Sequence, residues 1–187
     1  MINAAIFASG EGTNAENLFK FFANDPRIKF KLVITNREDA GIVARAEKYK
    51  KNVQIVSKAA LENYSDKLIE FLKVENIDLI ILAGFLLKMP EAFIKAFPNQ
   101  IINIHPSLLP KYGGKGMYGM HVHEAVIANK EHESGITIHY VNEEYDKGNI
   151  IIQEKCQLDA NDTAESLSKK IRQLEFEFLP KAVERFL

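Results

Sequence analysis

The chain alternates short apolar runs with amphipathic stretches, and this alternation predicts its secondary structure. Seven apolar runs have the length and composition of β-strands: residues 4–9, 31–35, 53–57, 79–84, 101–104, 135–141 and 149–158. In the segments between the first five runs, apolar residues recur every three to four positions, which is typical of amphipathic helices: residues 16–24, 42–50, 63–76 and 91–97. A longer helix is predicted at about 162–186, with Asn161 or Asp162 as its N-cap.

The order of these elements predicts an α/β fold. Strands that alternate with helices and are apolar on both faces favour a mostly parallel, twisted sheet with helices on both faces. Residues 135–141 and 149–158 are separated only by the turn-like NEEYDKG, so we expect them to pair antiparallel at one edge. With no repeat and no linker, the sequence indicates a single Rossmann-like domain that ends in a long C-terminal helix.

Composition and charge exclude several classes of protein. Of the 187 residues, 47% are hydrophobic and 26% are charged, as in ordinary soluble domains. The net charge of −1 argues against a surface built to bind nucleic acid or an anionic membrane. There is one cysteine, Cys156, and neither a membrane-spanning apolar run nor a signal-peptide pattern. We therefore expect a cytoplasmic protein, monomeric or homodimeric, with no nucleic-acid or membrane partner.

A glycine-containing loop joins the first predicted strand to the first predicted helix. In ASGEGTNAENLF (residues 8–19), Gly10 and Gly12 permit a tight turn and close approach of a ligand, and Thr13 and Asn14 add polar side chains. The free amides at the start of the helix form an anion site. The loop lacks the lysine of a P-loop, and no acid follows about 20 residues later as in dinucleotide folds, so it favours a single phosphate. An ordinary polar-capped turn is the alternative.

Polar side chains interrupt the fifth apolar run. Asn103 and His105 are two residues apart, so on a strand their side chains lie on the same side. An amide and an imidazole are costly to bury unless they have polar partners or a chemical role. The turn-rich segment 105–121, with two prolines and four glycines, follows at the carboxyl end of this strand, where open α/β sheets bind ligands.

Three hypotheses account for these side chains and for the histidines and the acid that follow them. In the first, His105 shuttles protons, Asn103 stabilises an oxyanion and Asp146 orients the imidazole. In the second, His121 and His123 bind a metal together with Asp146. In the third, His105 only ends a strand. We favour the first and predict no metal, because His-x-His pairs are common outside metal sites.

Taken together, these segments resemble a known family. SGEGTN (9–14), LAGF (82–85), NIHPSLLP (103–110) and YDKG (145–148) resemble, in order, the phosphoribosylglycinamide formyltransferases, and NIHPSLLP is the most specific of the four. The resemblance implies transfer of a formyl group from 10-formyltetrahydrofolate to the amine of 5'-phosphoribosylglycinamide. The products would be formylglycinamide ribonucleotide and tetrahydrofolate, in de novo purine biosynthesis, with no metal involved.

The resemblance also implies a role for each matching residue. The catalytic trio would be Asn103, His105 and Asp146. The phosphoribosyl substrate would be held by Gly12, Thr13, Asn14 and Glu175. The folate cleft would be lined by Leu87, Lys88, Met89, Asn103, Glu143, Glu144 and Tyr145. Within a single formyltransferase domain of residues 1–187, residues 1–100 would form the phosphoribosyl-substrate-binding half and residues 101–187 the catalytic and folate-binding half.

Other functions remain as alternatives. Methionyl-tRNA formyltransferase and formyltetrahydrofolate deformylase share the Asn–His–Asp core, but each carries a further domain, which we do not expect in a chain that starts on its first strand and ends at Leu187. A non-catalytic phosphosugar- or nucleotide-binding module would not need the trio. A nicotinamide oxidoreductase would need the missing ribose-binding acid.

Overall fold

A computed structural model describes all 187 residues and contains seven strands and seven helices. The strands are β1 (Ile2–Phe7), β2 (Ile28–Thr35), β3 (Asn52–Ile55), β4 (Leu79–Leu82), β5 (Ile101–His105), β6 (Glu133–Tyr140) and β7 (Ile150–Gln157). The helices are α1 (Thr13–Phe21), α2 (Gly41–Lys48), α3 (Lys58–Asn63), α4 (Ser65–Val74), α5 (Glu91–Ala96), α6 (Met120–Ala128) and α7 (Ala164–Glu184). Each predicted strand and helix has a counterpart, whereas α3 and α6 were not predicted.

All seven strands form one sheet in the order β3-β2-β1-β4-β5-β6-β7. The pairs from β3 to β5 are parallel, and β6 pairs antiparallel with both β5 and β7. The predicted α/β fold, with its mostly parallel sheet and antiparallel edge, is therefore confirmed. The strand order reverses between β1 and β4, which is where sheets of this type leave a crevice at their carboxyl ends.

The core lies on both faces of the sheet because successive strand residues point to opposite sides. In β1, Ala4 and Ile6 pack in one apolar cluster, while Ala5 and Phe7 pack in the other. Helices α1, α2, α6 and α7 supply buried residues to the first cluster, and α3, α4 and α5 supply them to the second. The predicted helices on both faces are thus confirmed.

Two local predictions differ from the structure. The segment 105–121 was expected to be a loop throughout, but α6 begins at Met120, and its MHVHEAVIA sequence lacks the polar face that marks an amphipathic helix. The N-cap of α7 is Thr163 rather than Asn161 or Asp162. Its side chain accepts a hydrogen bond from the Ser166 amide in a capping box, while the Asp162 carboxylate pairs with Lys170 Nζ at 2.6 Å.

None of the helices combines the length and the apolar character that a membrane span requires.

Candidate active site

The carboxyl ends of the parallel strands open into a cavity of about 650 Å³. Its walls come from the glycine loop, the segment after β4, the end of β5, the loop before α6, the turn between β6 and β7, and one face of α7. The predicted site residues that line it are Gly12, Thr13, Asn14, Leu87, Lys88, Met89, Asn103, His105, Glu144, Tyr145, Asp146 and Glu175. Glu143 is the exception, because it is exposed and does not line the cavity.

Gly12 is the N-cap residue at which the glycine loop turns into α1. Its φ of 73° lies in the left-handed region, and a Cβ atom there would approach Ile42 Cδ1 to 2.5 Å, so both the backbone and the packing require glycine. The amides of the first helical turn have no partner within the helix. Together with the positive end of the helix dipole, they form an anion site that faces the cavity.

Glu175 on α7 adds a carboxylate beside this anion site. Asn14 Nδ2 donates a hydrogen bond of 3.0 Å to Glu175 Oε2, while Asn14 Oδ1 is buried without a partner. Burial raises the pKa of Glu175, although the hydrogen bond from Asn14 and the charge of Arg172 act in the opposite direction. Arg172 lies one turn before Glu175 and also lines the cavity, so α7 presents a cation and an acid to a ligand.

The catalytic trio predicted from the sequence is assembled where β5 ends. His105 Nδ1 lies 3.6 Å from Asp146 Oδ2, and His105 Nε2 lies 2.8 Å from the carbonyl oxygen of Tyr112. Because a carbonyl oxygen only accepts, Nε2 carries the proton and the lone pair of a neutral His105 is on Nδ1, facing Asp146. Asn103 Nδ2 lies 3.5 Å from Asp146 Oδ1, so the Asn103 and His105 side chains both face the Asp146 carboxylate.

His139 is a fourth polar member of this group, which the sequence analysis did not assign. It lies on β6 opposite Asn103 and is 2% exposed. Its Nδ1 lies 2.8 Å from the Tyr140 carbonyl oxygen and therefore carries the proton, which leaves Nε2 to accept from Asn103 Nδ2 at 3.2 Å. His139 Nε2 is also 3.6 Å from Asp146 Oδ1.

Burial and charge set the protonation of the trio. Burial lowers the pKa of His105 below its ordinary value of 6.5, and this exceeds the opposite effects of Asp146 and the Tyr112 carbonyl. Burial alone would raise the pKa of Asp146, but the charge that His105 carries when protonated and the hydrogen bond from the Gly114 amide act in the opposite direction, and the pKa is lowered overall. That amide donates a 2.8 Å hydrogen bond to Asp146 Oδ2. At neutral pH the site therefore holds an ionised Asp146 beside a neutral His105.

The two histidines of the metal hypothesis do not come together around Asp146. His121 is exposed and lies 3.7 Å from Glu124, whereas His123 is buried at the cavity wall. No group of three or more His, Cys, Asp or Glu side chains is arranged to hold a metal ion. Burial lowers the pKa of His123, and its Nδ1 has no hydrogen-bond partner.

Two cavity residues, His139 and Arg172, had only weak signals in the sequence. His139 belongs to the alternating run GITIHYV, and its partner follows from the register of β5 and β6. Arg172 lies three residues before Glu175 and Ser168 seven before it, which is the spacing of one helical face. Both signals depend on element boundaries that the sequence gives only approximately.

The known proteins that this chain resembles in sequence and in structure are formyltransferases. The profile of the family described as formyl transferase matches residues 2–183. A chloroplastic phosphoribosylglycinamide formyltransferase of Arabidopsis thaliana is 39% identical over 173 residues, which cover 89% of this chain and 59% of that protein. The phosphoribosylglycinamide formyltransferase of Haemophilus influenzae is 34% identical over 194 residues, covering 100% of this chain and 87% of that protein.

The crystal structure of phosphoribosylglycinamide formyltransferase from Anaplasma phagocytophilum superimposes with a TM-score of 0.88 at 33% identity, over 97% of this chain and 84% of that one. The chain spans 59% of the length of the two plant relatives that it matches.

Proposed function

The chain belongs to the formyl transferase family, and from this membership we propose that it transfers a formyl group from 10-formyltetrahydrofolate to the amine of 5'-phosphoribosylglycinamide. The products are formylglycinamide ribonucleotide and tetrahydrofolate, a step of de novo purine biosynthesis. The observation that carries the proposal is the shared cavity: Asn103, His105 and Asp146 lie in the same cavity as the free helix start at Gly12. One bound substrate can therefore place its phosphate at the start of α1 and its amine near Asn103, His105 and Asp146.

The phosphoribosyl group of the acceptor binds between α1 and α7. Its phosphate accepts hydrogen bonds from the amides at the start of α1, as is general for helix N-termini. Arg172 adds positive charge, and Glu175 accepts hydrogen bonds from the sugar hydroxyls. The buried, unpartnered Asn14 Oδ1 is a further acceptor for a hydroxyl.

The reaction passes through a tetrahedral intermediate at the formyl carbon. As the acceptor nitrogen forms its bond to this carbon, the formyl oxygen becomes an oxyanion, which an N–H of Asn103 stabilises. Removal of one such donor typically costs about 10²–10³ in rate. The Asn103–Asp146 contact of 3.5 Å is long, so this N–H is free to be shared with the oxyanion while the other N–H stays on His139.

His105 acts first as a general base and then as a general acid. Because burial lowers its pKa, it is neutral when the substrates bind and takes the proton that the attacking amine releases. The imidazolium that results faces the Asp146 carboxylate on one side and the Tyr112 carbonyl on the other, two acceptors that stabilise it. It then gives the proton to the folate nitrogen as the bond to the formyl carbon breaks.

The folate donor lies between two segments at the cavity mouth. Leu87 and Met89 supply apolar contacts on one side, and Tyr145 does so on the other. Lys88 Nζ lies 5.4 Å from the centre of the Tyr145 ring, a cation–π contact that connects the two segments.

With a single cysteine in the chain, we place this activity in a reducing compartment such as the cytoplasm.

A labelled donor tests the proposed function. The chain is incubated with 10-[¹³C]formyltetrahydrofolate and either phosphoribosylglycinamide or its dephosphorylated form, and the products are identified by mass spectrometry. We expect label in the N-formyl product of the phosphorylated acceptor and at least tenfold less with the dephosphorylated one. Release of labelled formate at the same rate without acceptor would contradict the proposal and indicate a hydrolase.

A further inference from the structure

We propose that Arg45 on α2 is a positioning residue for the phosphate site, although α2 contributes no residue to the cavity wall. Arg45 holds the glycine loop against α2, so that amides rather than carbonyl oxygens face the substrate phosphate. The inference rests on the function proposed above and assigns a determinant of its specificity for a phosphorylated acceptor.

Three consecutive residues of the glycine loop are attached to α2. Arg45 Nε donates a hydrogen bond of 2.6 Å to the carbonyl oxygen of Glu11. The Ile42 amide donates one of 3.1 Å to the carbonyl oxygen of Gly10. Gly12 packs so closely on Ile42 that a Cβ atom at Gly12 would come within 2.8 Å of Ile42 Cα. The first turns of α2 therefore set the path of the loop.

These contacts determine which backbone atoms meet the phosphate. A carbonyl oxygen that turned toward the cavity would repel an anion, whereas an amide attracts it. Two successive carbonyl groups have donors on α2, and the guanidinium bond to Glu11 is charge-assisted, hence stronger than a neutral one. With both carbonyl groups held, the amides that follow in Thr13 and Asn14 are left to face the ligand.

Arg45 also pairs with a buried acid in the first turns of α1. Its guanidinium pairs with the Glu16 carboxylate, which is 8% exposed and lies in the first turns of α1. Lys20 and Arg45 together lower the pKa of Glu16 to about 2, against the effect of burial, so this carboxylate stays ionised. Without Arg45, the charge of Glu16 would be less well compensated near the end of α1 that receives the phosphate.

Four variants separate the positioning role from this charge effect: R45M, R45K, the double variant R45M/E16Q and the control R37M. Arg37 pairs with Asp39 on the surface outside the cavity, so R37M removes a guanidinium without touching the loop. Calorimetry gives the dissociation constants for phosphoribosylglycinamide and for tetrahydrofolate. The rise in unfolding temperature with ribose 5-phosphate gives an independent measure of phosphate binding.

We expect R45M to weaken phosphoribosylglycinamide binding about tenfold, the order of one lost charge-assisted hydrogen bond, and to leave tetrahydrofolate binding within about twofold. The rise in unfolding temperature with ribose 5-phosphate should shrink in the same variant. R45K retains the charge but offers a single donor group, which serves Glu11 or Glu16 but not both, so it should recover only part of the affinity. R37M should match the wild type.

Two results would overturn the inference. Full recovery of affinity in R45M/E16Q would reduce Arg45 to a charge partner of Glu16. Equal losses for both ligands in R45K, which retains the positive charge, would indicate a general structural role. If the wild-type protein transfers no formyl group but R45M weakens its binding of ribose 5-phosphate, the proposed function fails while the role of Arg45 stands. If the wild-type protein transfers the group and R45M and R45K bind the acceptor normally, only the inference fails.

Discussion

Asn103 and His139 are direct partners across β5 and β6, with Asn103 Nδ2 and His139 Nε2 3.2 Å apart. His139 is held by its own hydrogen bond to the Tyr140 carbonyl oxygen, so its Nε2 is fixed as an acceptor. This acceptor orients the Asn103 amide with its NH₂ group toward Asp146. The oxyanion donor of the proposed mechanism is therefore set by a buried histidine that need not touch the substrate.

Replacing His139 tests this orientation. In His139→Ala the Asn103 amide is free to rotate, so we expect kcat to fall about 10- to 100-fold while both KM values change less than about threefold. His132→Ala is the control, because His132 is an exposed histidine outside the cavity. Unchanged kcat in His139→Ala would show that Asn103 is oriented without it.

The two glycines of the loop are expected to differ in their tolerance of a side chain. Gly12→Ala introduces a Cβ atom 2.5 Å from Ile42 Cδ1 at a φ of 73°, which displaces the start of α1. Gly10→Ala is the matched comparison, since its Cβ atom would meet nothing within 4 Å. We expect the dissociation constant for phosphoribosylglycinamide to rise about tenfold or more in Gly12→Ala, and several-fold less in Gly10→Ala.

Folate binding by the same two variants provides the test of specificity. The proposed folate walls are residues 87–89 and 144–145, segments other than the glycine loop, so tetrahydrofolate should bind to both variants as it does to the wild type. Equal weakening of the two ligands in Gly12→Ala would contradict the assignment of the glycine loop to the phosphate.

In the proposed mechanism, Asp146 links the rate to pH through the pKa of His105. Burial lowers the pKa of His105, and a neutral His105 is needed to accept the amine proton, so kcat/KM should fall with acid through a pKa below 6.5. Asp146 acts to raise that pKa, so Asp146→Asn should move the acid limb to still lower pH. The lost stabilisation of the imidazolium should also lower kcat at pH 7 about 100-fold or more.

The pH profile distinguishes this role from a purely structural one. A structural role for Asp146 would lower the amount of folded protein without moving the acid limb. A profile of Asp146→Asn with an acid limb at higher pH would contradict the sign of the interaction with His105.

Much of the fold follows from the sequence because the central strands, such as β4, are almost wholly apolar and the predicted helices each have a polar face. The α6 helix was missed because it is apolar almost all round and follows a segment rich in glycine and proline. The N-cap of α7 was misplaced because Asp162 and Thr163 are both good caps, and only the capping box with Ser166 decides between them.

The site was predictable where residues close in sequence carry it, as in SGEGTN and NIHPSLLP. Contacts between distant segments were not: Arg45 meets Glu11 across 34 residues, and His139 meets Asn103 across 36. The register that joins β5 to β6 cannot be read from the apolar pattern alone. Glu143 does not line the cavity because neighbouring residues of one turn face different ways. The residues of this turn that line it are Val141, Asn142, Glu144, Tyr145 and Asp146.

Replacing His105 separates an enzyme from a binding module. In His105→Ala we expect kcat to fall at least about 100-fold, while the dissociation constants of phosphoribosylglycinamide and tetrahydrofolate stay within about threefold. We attribute the lower kcat to the loss of the proton acceptor, since both substrates should still bind. Residual turnover near the wild-type rate would remove His105 from the mechanism.

The central claim is tested most directly by the initial rate of tetrahydrofolate formation, followed by absorbance at neutral pH with a chelator present. The rate is measured for the wild-type protein with 10-formyltetrahydrofolate, with and without phosphoribosylglycinamide. We predict turnover that requires the acceptor and is unaffected by the chelator. No turnover with the acceptor, or the same rate without it, would contradict the assignment of this chain as a phosphoribosylglycinamide formyltransferase.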